Sequence, residues 1–189
     1  MRSIFAKLLY EMEKGHDTML ASIVADDGSA PRGKGSQMLV GAQGRLVGTI
    51  GGGAVELRSE QMAIELLGKK QSGLHEFHLQ KNKIEDIGMV CGGDVTVLFT
   101  RIPGMDARWN SLAQKTMQCF AEMTPADLSL GLNGGLAALI GADGQLLAGW
   151  LTGASISNCE KPAKTRCRSA LPSAKSRSAT PTAPPTVSR

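Results

Sequence analysis

The chain has 189 residues, 42% of them hydrophobic, and a formal net charge of +4. That length suits one ordinary globular domain with an appendage, large enough that neither disulfides nor a structural metal is required for stability. The charge is uneven: after Gly153 there are seven Lys/Arg against one acidic residue, and before it fourteen against sixteen, so the slightly acidic body argues against a nucleic-acid binder.

Four cysteines, Cys91, Cys119, Cys159 and Cys167, form no CxxC pair and no dense disulfide spacing, as expected of a reducing compartment. In MRSIFAKLLYEMEKG, Glu11, Glu13 and Lys14 interrupt any signal-peptide core. No run approaches the roughly 20 apolar residues that span a bilayer. The expectation is a cytoplasmic protein with no membrane partner.

Along the chain, Phe5, Leu8, Leu9 and Met12 at helical spacing predict a helix over residues 4–14, with Ser3 as N-cap and Gly15 past its end. TMLASIVA (18–25) is apolar enough for a buried strand and runs into DDGSAPRGKG, which reads as loop. QMLVGAQGRLVGTI reads as two short strands around Gln43-Gly44. GTIGGGAVE then places Gly51, Gly52 and Gly53 before a helix over 54–68, whose Val55, Met62, Ala63 and Leu66 share a face.

Residues 74–79 read as a strand, and 94–102 alternate with Val95, Val97 and Phe99 on one face. Residues 106–123 return to helix, with Trp109, Leu112, Ala113, Thr116, Phe120 and Met123 as its stripe and Pro125 beyond it. LAALIGADGQLLAGW forms a last hairpin turning at Asp143-Gly144. It repeats the first: LVGAQGRLVG matches LIGADGQLLAG with Leu, Gly, Ala, Gly and Leu in register. Either an internal duplication or convergence on the same turn residues produces this. The fold class is therefore α+β (mixed α/β), a single domain of hairpins and a mixed sheet with three helices over 1–153. Residues 154–189, basic and rich in Ser, Ala and Pro, are expected to be a disordered tail, with the abrupt onset of a truncated or frame-shifted end.

Three stretches carry chemistry. The glycines at 51–53 permit positive φ and a close approach of backbone amides to a ligand, with a helix N-terminus beside them, which outlines an anion site. Neither a dinucleotide fingerprint nor a P-loop fits, because Glu56 stands where Gly or Ala is needed and no Lys-Ser/Thr follows. A tight strand-to-helix turn with no ligand remains an alternative for the glycines alone. In SAPR, Pro31 stiffens the loop and Arg32 offers a planar donor fork to phosphate or carboxylate. Cys91-Gly92-Gly93 puts a thiol in a tight turn whose amides favour a thiolate. Cys119 lies beside the helical stripe and reads as core. His75 and His78 flank Glu76-Phe77, but three-residue spacing on a strand sends them to opposite faces, so zinc is not expected. A triad of Ser29, His75 and Asp94 lacks a nucleophile-elbow sequence.

Taken together, GSAPRGKGSQM, GTIGGGAVE and GMVCGGDV, in that order, resemble the N-terminal domain of the XdhC/CoxI family, accessory proteins for xanthine dehydrogenase and related molybdenum hydroxylases. Two departures stand out: Ala30 occupies a place where a second serine is common, and the basic tail follows where long members continue into a Rossmann-like domain. The resemblance implies a non-catalytic protein that binds the molybdenum cofactor, supports its sulfuration by a cysteine desulfurase and delivers it to the apo-hydroxylase. It makes Pro31, Arg32, Gly51, Gly52, Gly53, Glu56, Cys91, Gly92 and Gly93 the cofactor-binding set, with Cys91 approaching molybdenum or its sulfur and Glu56 ordering the loop or bonding the pterin. A homodimer is compatible with this. Two other readings stay open: a sulfur- or nucleotidyl-transferase acting on the cofactor, and an inactive truncated fragment.

Overall fold

The computed structural model describes residues 1–28, 33–79, 93–132, 136–151 and 163–167. Its elements are α1 (Arg2–Glu13), β1 (Thr18–Gly28), β2 (Gln37–Gly41), β3 (Gly44–Gly48), α2 (Gly53–Gly68), β4 (Gly73–Leu79), β5 (Gly93–Ile102), α3 (Ala107–Ala121), β6 (Ala126–Leu130), β7 (Leu136–Gly141), β8 (Leu146–Leu151) and β9 (Ala163–Cys167). The fold is α+β; the described residues form three helices, and their strands divide between two antiparallel sheets, ordered β3-β2-β1-β5-β4 and β8-β7-β6-β9.

Alternation on β1, β2 and β5 gives the first sheet two apolar faces. Met19, Ala21, Ile23, Met38, Val40, Val95, Val97 and Phe99 pack under Val55, Ala63 and Leu67 of α2. Leu20, Leu39, Leu98 and Ile102 face Ile4, Phe5, Leu8 and Met12 of α1 and Trp109, Leu112 and Ala113 of α3, which in turn meet Leu128, Leu130 and Ala137 of the second sheet. The order is therefore helix, sheet, helix pair, sheet. Each fully buried side chain such as Phe5, Leu39 or Phe99 contributes about 1.5–3 kcal/mol of transfer free energy. Trp109 meets Trp150 edge-on, with centroids 5.0 Å apart, fastening α3 to β8.

The sheets repeat one plan. Each half of the body runs helix, strand, hairpin: α1-β1-β2-β3 and α3-β6-β7-β8. The registers coincide as well. Met19↔Val40, Leu20↔Leu39, Ala21↔Met38 and Ser22↔Gln37 in the first sheet correspond to Asp127↔Ile140, Leu128↔Leu139, Ser129↔Ala138 and Leu130↔Ala137 in the second. Both hairpins carry an irregularity at the same place, between Leu39 and Val40 and between Leu139 and Ile140. Each helix ends in a left-handed residue, Gly15 (φ 72°) or Met123 (φ 56°). β9 lies against β6 as β5 lies against β1, so that Leu20↔Thr100 and Met19↔Arg101 correspond to Leu128↔Thr165 and Asp127↔Arg166. Identical pairing across four strands favours duplication over convergence of turn residues.

Several local expectations shift. α1 starts at Arg2 with Met1 as N-cap, so Ser3 lies inside it. The first turn is Ala42-Gln43, closed by Gly44 at φ 126°. β1 does not stop at Ala25: it continues through Asp26-Asp27-Gly28 because β5 supplies a partner for each, down to Gly28↔Gly93. β6 carried no strand expectation, and β9 falls within the segment expected to lack structure; strand pairing runs through backbone groups and needs no apolar period. Among the described residues, no helix is long and apolar enough to cross a membrane.

Candidate functional site

The β2–β3 hairpin delivers the chain to a crowded exit. Gly48 has φ 85°, and a Cβ there would sit 2.5 Å from the Gln37 carbonyl oxygen and 3.2 Å from Met38 Cα, so only glycine passes. The Thr49 amide donates to the same Gln37 carbonyl at 3.0 Å. Three successive left-handed residues follow, Gly51 (φ 137°), Gly52 (φ 84°) and Gly53 (φ 65°), and α2 begins with Gly52 as its N-cap. A Cβ at Gly52 would meet nothing within 4 Å. Backbone conformation, and not crowding, therefore demands glycine at this position.

Glu56, in the first turn of α2, reaches back into the loop. Its Oε2 accepts from the Ile50 amide at 3.2 Å, the Gly52 amide at 3.1 Å and the Thr49 hydroxyl, while Oε1 pairs with Arg45. The Gly51 amide donates to Thr49 Oγ1 at 3.2 Å. Burial pushes the Glu56 carboxyl up, but the Thr49 hydroxyl, the Arg45 charge and the two amides outweigh it, so its pKa lies below the usual carboxylate value. One turn on, Glu60 accepts from the Arg45 amide at 3.0 Å and ties the helix to the hairpin again. The anion held by this turn is thus the protein's own carboxylate.

Of the residues expected to bind a ligand, Gly51, Gly52, Gly53 and Glu56 come together here. Gly93 is the first residue of β5, paired with Gly28 on one side and Leu79 on the other. Pro31, Arg32, Cys91 and Gly92 lie outside the described residues. The strands nevertheless fix where the segments depart. Ser22↔Gln37 and Met38↔Gly48 set the end of β3 beside the second half of β1, and Gly28↔Gly93 sets the end of β1 beside the start of β5. The glycine turn, the chain toward Pro31-Arg32 and the chain after Cys91-Gly92 therefore share one end of the first sheet. At that end Asp26 Oδ1 accepts from the Lys34 amide at 3.3 Å.

Sequence reading missed Arg45 and Thr49, the two side chains that hold Glu56. Opposite charge on elements joined by a short loop pointed to Arg45, and nothing in the sequence pointed to Thr49. The two histidines of β4 serve other partners: His75 packs edge-on against Phe77 at 4.6 Å, and His78 Nδ1 lies 3.2 Å from Asp94 Oδ1. Cys119 is buried, as its place beside the α3 stripe predicts. Among the described residues, no three His, Cys, Asp or Glu side chains gather as a metal cluster.

Comparison with known proteins bears on this end of the molecule. The model of the XdhC and CoxI family matches residues 12–78, from the end of α1 through most of β4 and including the whole glycine turn. Residues 12–78 are similar to the XdhC and CoxI family over that stretch. Escherichia coli (strain K12) YqeB, described as uncharacterized, is 35% identical over 106 residues, 56% of this chain and 19% of that protein. A crystal structure of a xanthine dehydrogenase from Bacillus halodurans shares the fold with a TM-score of 0.63 at 19% identity, over 86% of this chain and 51% of its own. The chain thus spans about half of the structural relative and a much smaller part of YqeB. Arg45, Thr49, Glu56 and the three glycines all lie inside the stretch that the family model matches, and Gly93 lies beyond it.

Proposed function

We propose that the protein is a non-catalytic accessory factor that binds the molybdenum cofactor and supports its sulfuration and insertion into xanthine dehydrogenase-type molybdenum hydroxylases. One observation carries the reading: strand ends leading to all three chemistry-bearing stretches meet at one end of the first sheet, in and just beyond the stretch that matches the XdhC and CoxI family. The name of the Bacillus halodurans relative points to the same enzyme system.

The residue chemistry suits the cofactor. Arg32 is a planar donor fork for a phosphate, Pro31 stiffens its loop, and a Cys91 thiolate is a soft donor for molybdenum or its sulfur. Gly92 and Gly93 leave backbone bare beside that thiol. In this reading Gly51, Gly52, Gly53 and Glu56 complete the binding set. Bound cofactor supplies redox chemistry to the hydroxylase; this chain's residues only hold it, orient it and keep water from it. The partners are an apo-hydroxylase as recipient and a cysteine desulfurase as sulfur source, in the cytoplasm, with a homodimer compatible. In this reading residues 1–153 form the working domain and 154–189 the basic segment that follows it, within which Ala163–Cys167 pairs with β6.

Anaerobic titration of the purified protein with molybdenum cofactor, followed by absorbance, tests this. Saturable binding is expected, lost in Cys91→Ala and weakened about tenfold in Arg32→Ala. If both variants bind cofactor and activate the hydroxylase like the wild type, the site assignment is wrong. Nucleotide turnover by the purified protein would move it into the enzymes.

A further inference from the structure

β4 closes one side of the first sheet with an edge that carries none of the usual defences. It is the last strand in the order β3-β2-β1-β5-β4, so among the described residues its backbone pairs on one side only, with β5. The strand holds no proline and no lysine, and its register runs from Gly73↔Phe99 to Leu79↔Gly93 without a bulge. Leu74 leaves 45% of its surface exposed. An edge of this kind is a template for one more strand.

The side chains select that strand. Glu76 and His78 stand exposed on one face of β4, while Phe77 on the other is buried in the cluster under α2. His78 Nδ1 lies 3.2 Å from Asp94 Oδ1 on β5, whereas Glu76 pairs with no side chain among the described residues. Two copies of one strand pair antiparallel about a twofold axis normal to the sheet, which keeps each face on its own side. Centring that axis on Glu76 sets two carboxylates against each other, and centring it on His75 sets Leu74 against Glu76. Centring it on Phe77 sets Glu76 opposite His78 twice. Each His78 then has Asp94 on one side and Glu76 of the other copy on the other, and opposite charges at directly facing positions stabilise a strand pair.

We propose that β4 is the contact between two copies of this chain, joined antiparallel through residues 75–79 with Phe77 on the axis. The two five-stranded sheets become one of ten strands, with both α2 helices on one face. The antiparallel junction sends the two glycine turns to opposite ends, so each copy keeps its own candidate site and the contact does not rest on the accessory-factor reading. A strand-edge contact is small, which sets the dissociation constant on the order of 10 μM.

Sedimentation equilibrium of the full chain, over concentrations on either side of that value, tests the contact. A reversible monomer–dimer equilibrium is expected. Glu76→Lys, at an exposed position where folding is not at stake, sets a lysine opposite His78 twice and should weaken the dimer about tenfold, with thermal unfolding of the monomer unchanged. The register is read by oxidising a mixture of Glu76→Cys and His78→Cys chains: a disulfide between position 76 of one chain and position 78 of the other is expected, identified by peptide mass spectrometry. A chain that stays monomeric, a dimer untouched by Glu76→Lys, or a 76-to-76 disulfide in place of 76-to-78 would overturn the proposal. The cofactor titration reads the accessory-factor role separately. Glu76→Lys should bind cofactor as the wild type does, and loss of binding together with the dimer would overturn the separation of site from contact.

Discussion

The two halves of the body share a helix, a strand and a hairpin in matching register, yet only the first carries the candidate site. What it has in addition is concentrated at one end: β1 and β5 run on past Ser22↔Leu98 to Gly28↔Gly93, and α2 follows β3 through the glycine turn. The shared part is scaffold and the added part is site. Composition follows coverage. Met19, Ala21, Met38 and Val40 lie under α2, whereas the matching positions of the second sheet are Asp127, Ser129, Ala138 and Ile140, because a face without α2 above it does not require four apolar side chains.

If the halves are equivalent scaffolds, matched core truncations should cost the same. Leu39 and Leu139 occupy the same place in their hairpins and are fully buried. Leu39→Ala and Leu139→Ala should each destabilise the protein by about 2–5 kcal/mol, read from the denaturant midpoint. One cooperative transition should persist in both, since α1 and α3 pack into one core with both sheets. A variant in which Leu139→Ala unfolds the second sheet alone would break the equivalence.

A second matched pair probes the backbone. Gly48 and Gly149 leave their hairpins at φ 85° and 144°, and a Cβ on either would run into the facing strand, 2.5 Å from the Gln37 oxygen or 2.3 Å from the Ala137 oxygen. Gly48→Ala and Gly149→Ala should each cost about 2–4 kcal/mol from left-handed strain and overpacking together, measured by thermal unfolding. A neutral Gly149→Ala would mean that the second hairpin relaxes where the first cannot.

Much of this was legible in the sequence. The stripes of α1 and α3, the alternation of β5 and the repeated hairpin rest on local patterns of period 3.6 or 2, and two of the three ordered motifs, GSAPRGKGSQM and GTIGGGAVE, fall in the stretch that the XdhC and CoxI family model matches. What stayed hidden depended on partners distant in sequence. Asp26-Asp27-Gly28 reads as loop and becomes strand only because Gly93 to Thr96 lie beside it. The glycine turn reads as an anion cradle from composition alone. Its polarity is reversed by one carboxylate, Glu56, whose own partners sit on a different element.

That carboxylate is the sharpest local difference between the halves, and pH tests it. Its folded pKa lies below the ordinary value of 4.5, so ionised Glu56 stabilises the fold above that value and loses the contribution as pH falls through the folded pKa. Glu56→Gln should cost about 2 kcal/mol at neutral pH. The gap between variant and wild type should then close as pH drops below 4.5. A gap that does not depend on pH would show that shape, and not charge, holds the turn.

The smallest expected effect separates the two repeated helices. α3 opens with Asp106, whose side chain accepts from the amides of Arg108 at 2.9 Å and Trp109 at 3.4 Å, while α1 opens with Met1 and has no side-chain cap. The Arg108 guanidinium beside Asp106 holds its carboxyl below the usual range. It also lies over the Trp150 ring, at 5.1 Å, so the cap is linked to the α3–β8 contact. Asp106→Ala should cost about 1 kcal/mol, and Asp106→Asn should recover most of it, because an amide oxygen can still accept from the helix amides. If Asn fails to recover stability, the ion pair with Arg108 carries the effect in place of the cap. Charge at the start of α3 would then hold the α3–β8 contact within the second half.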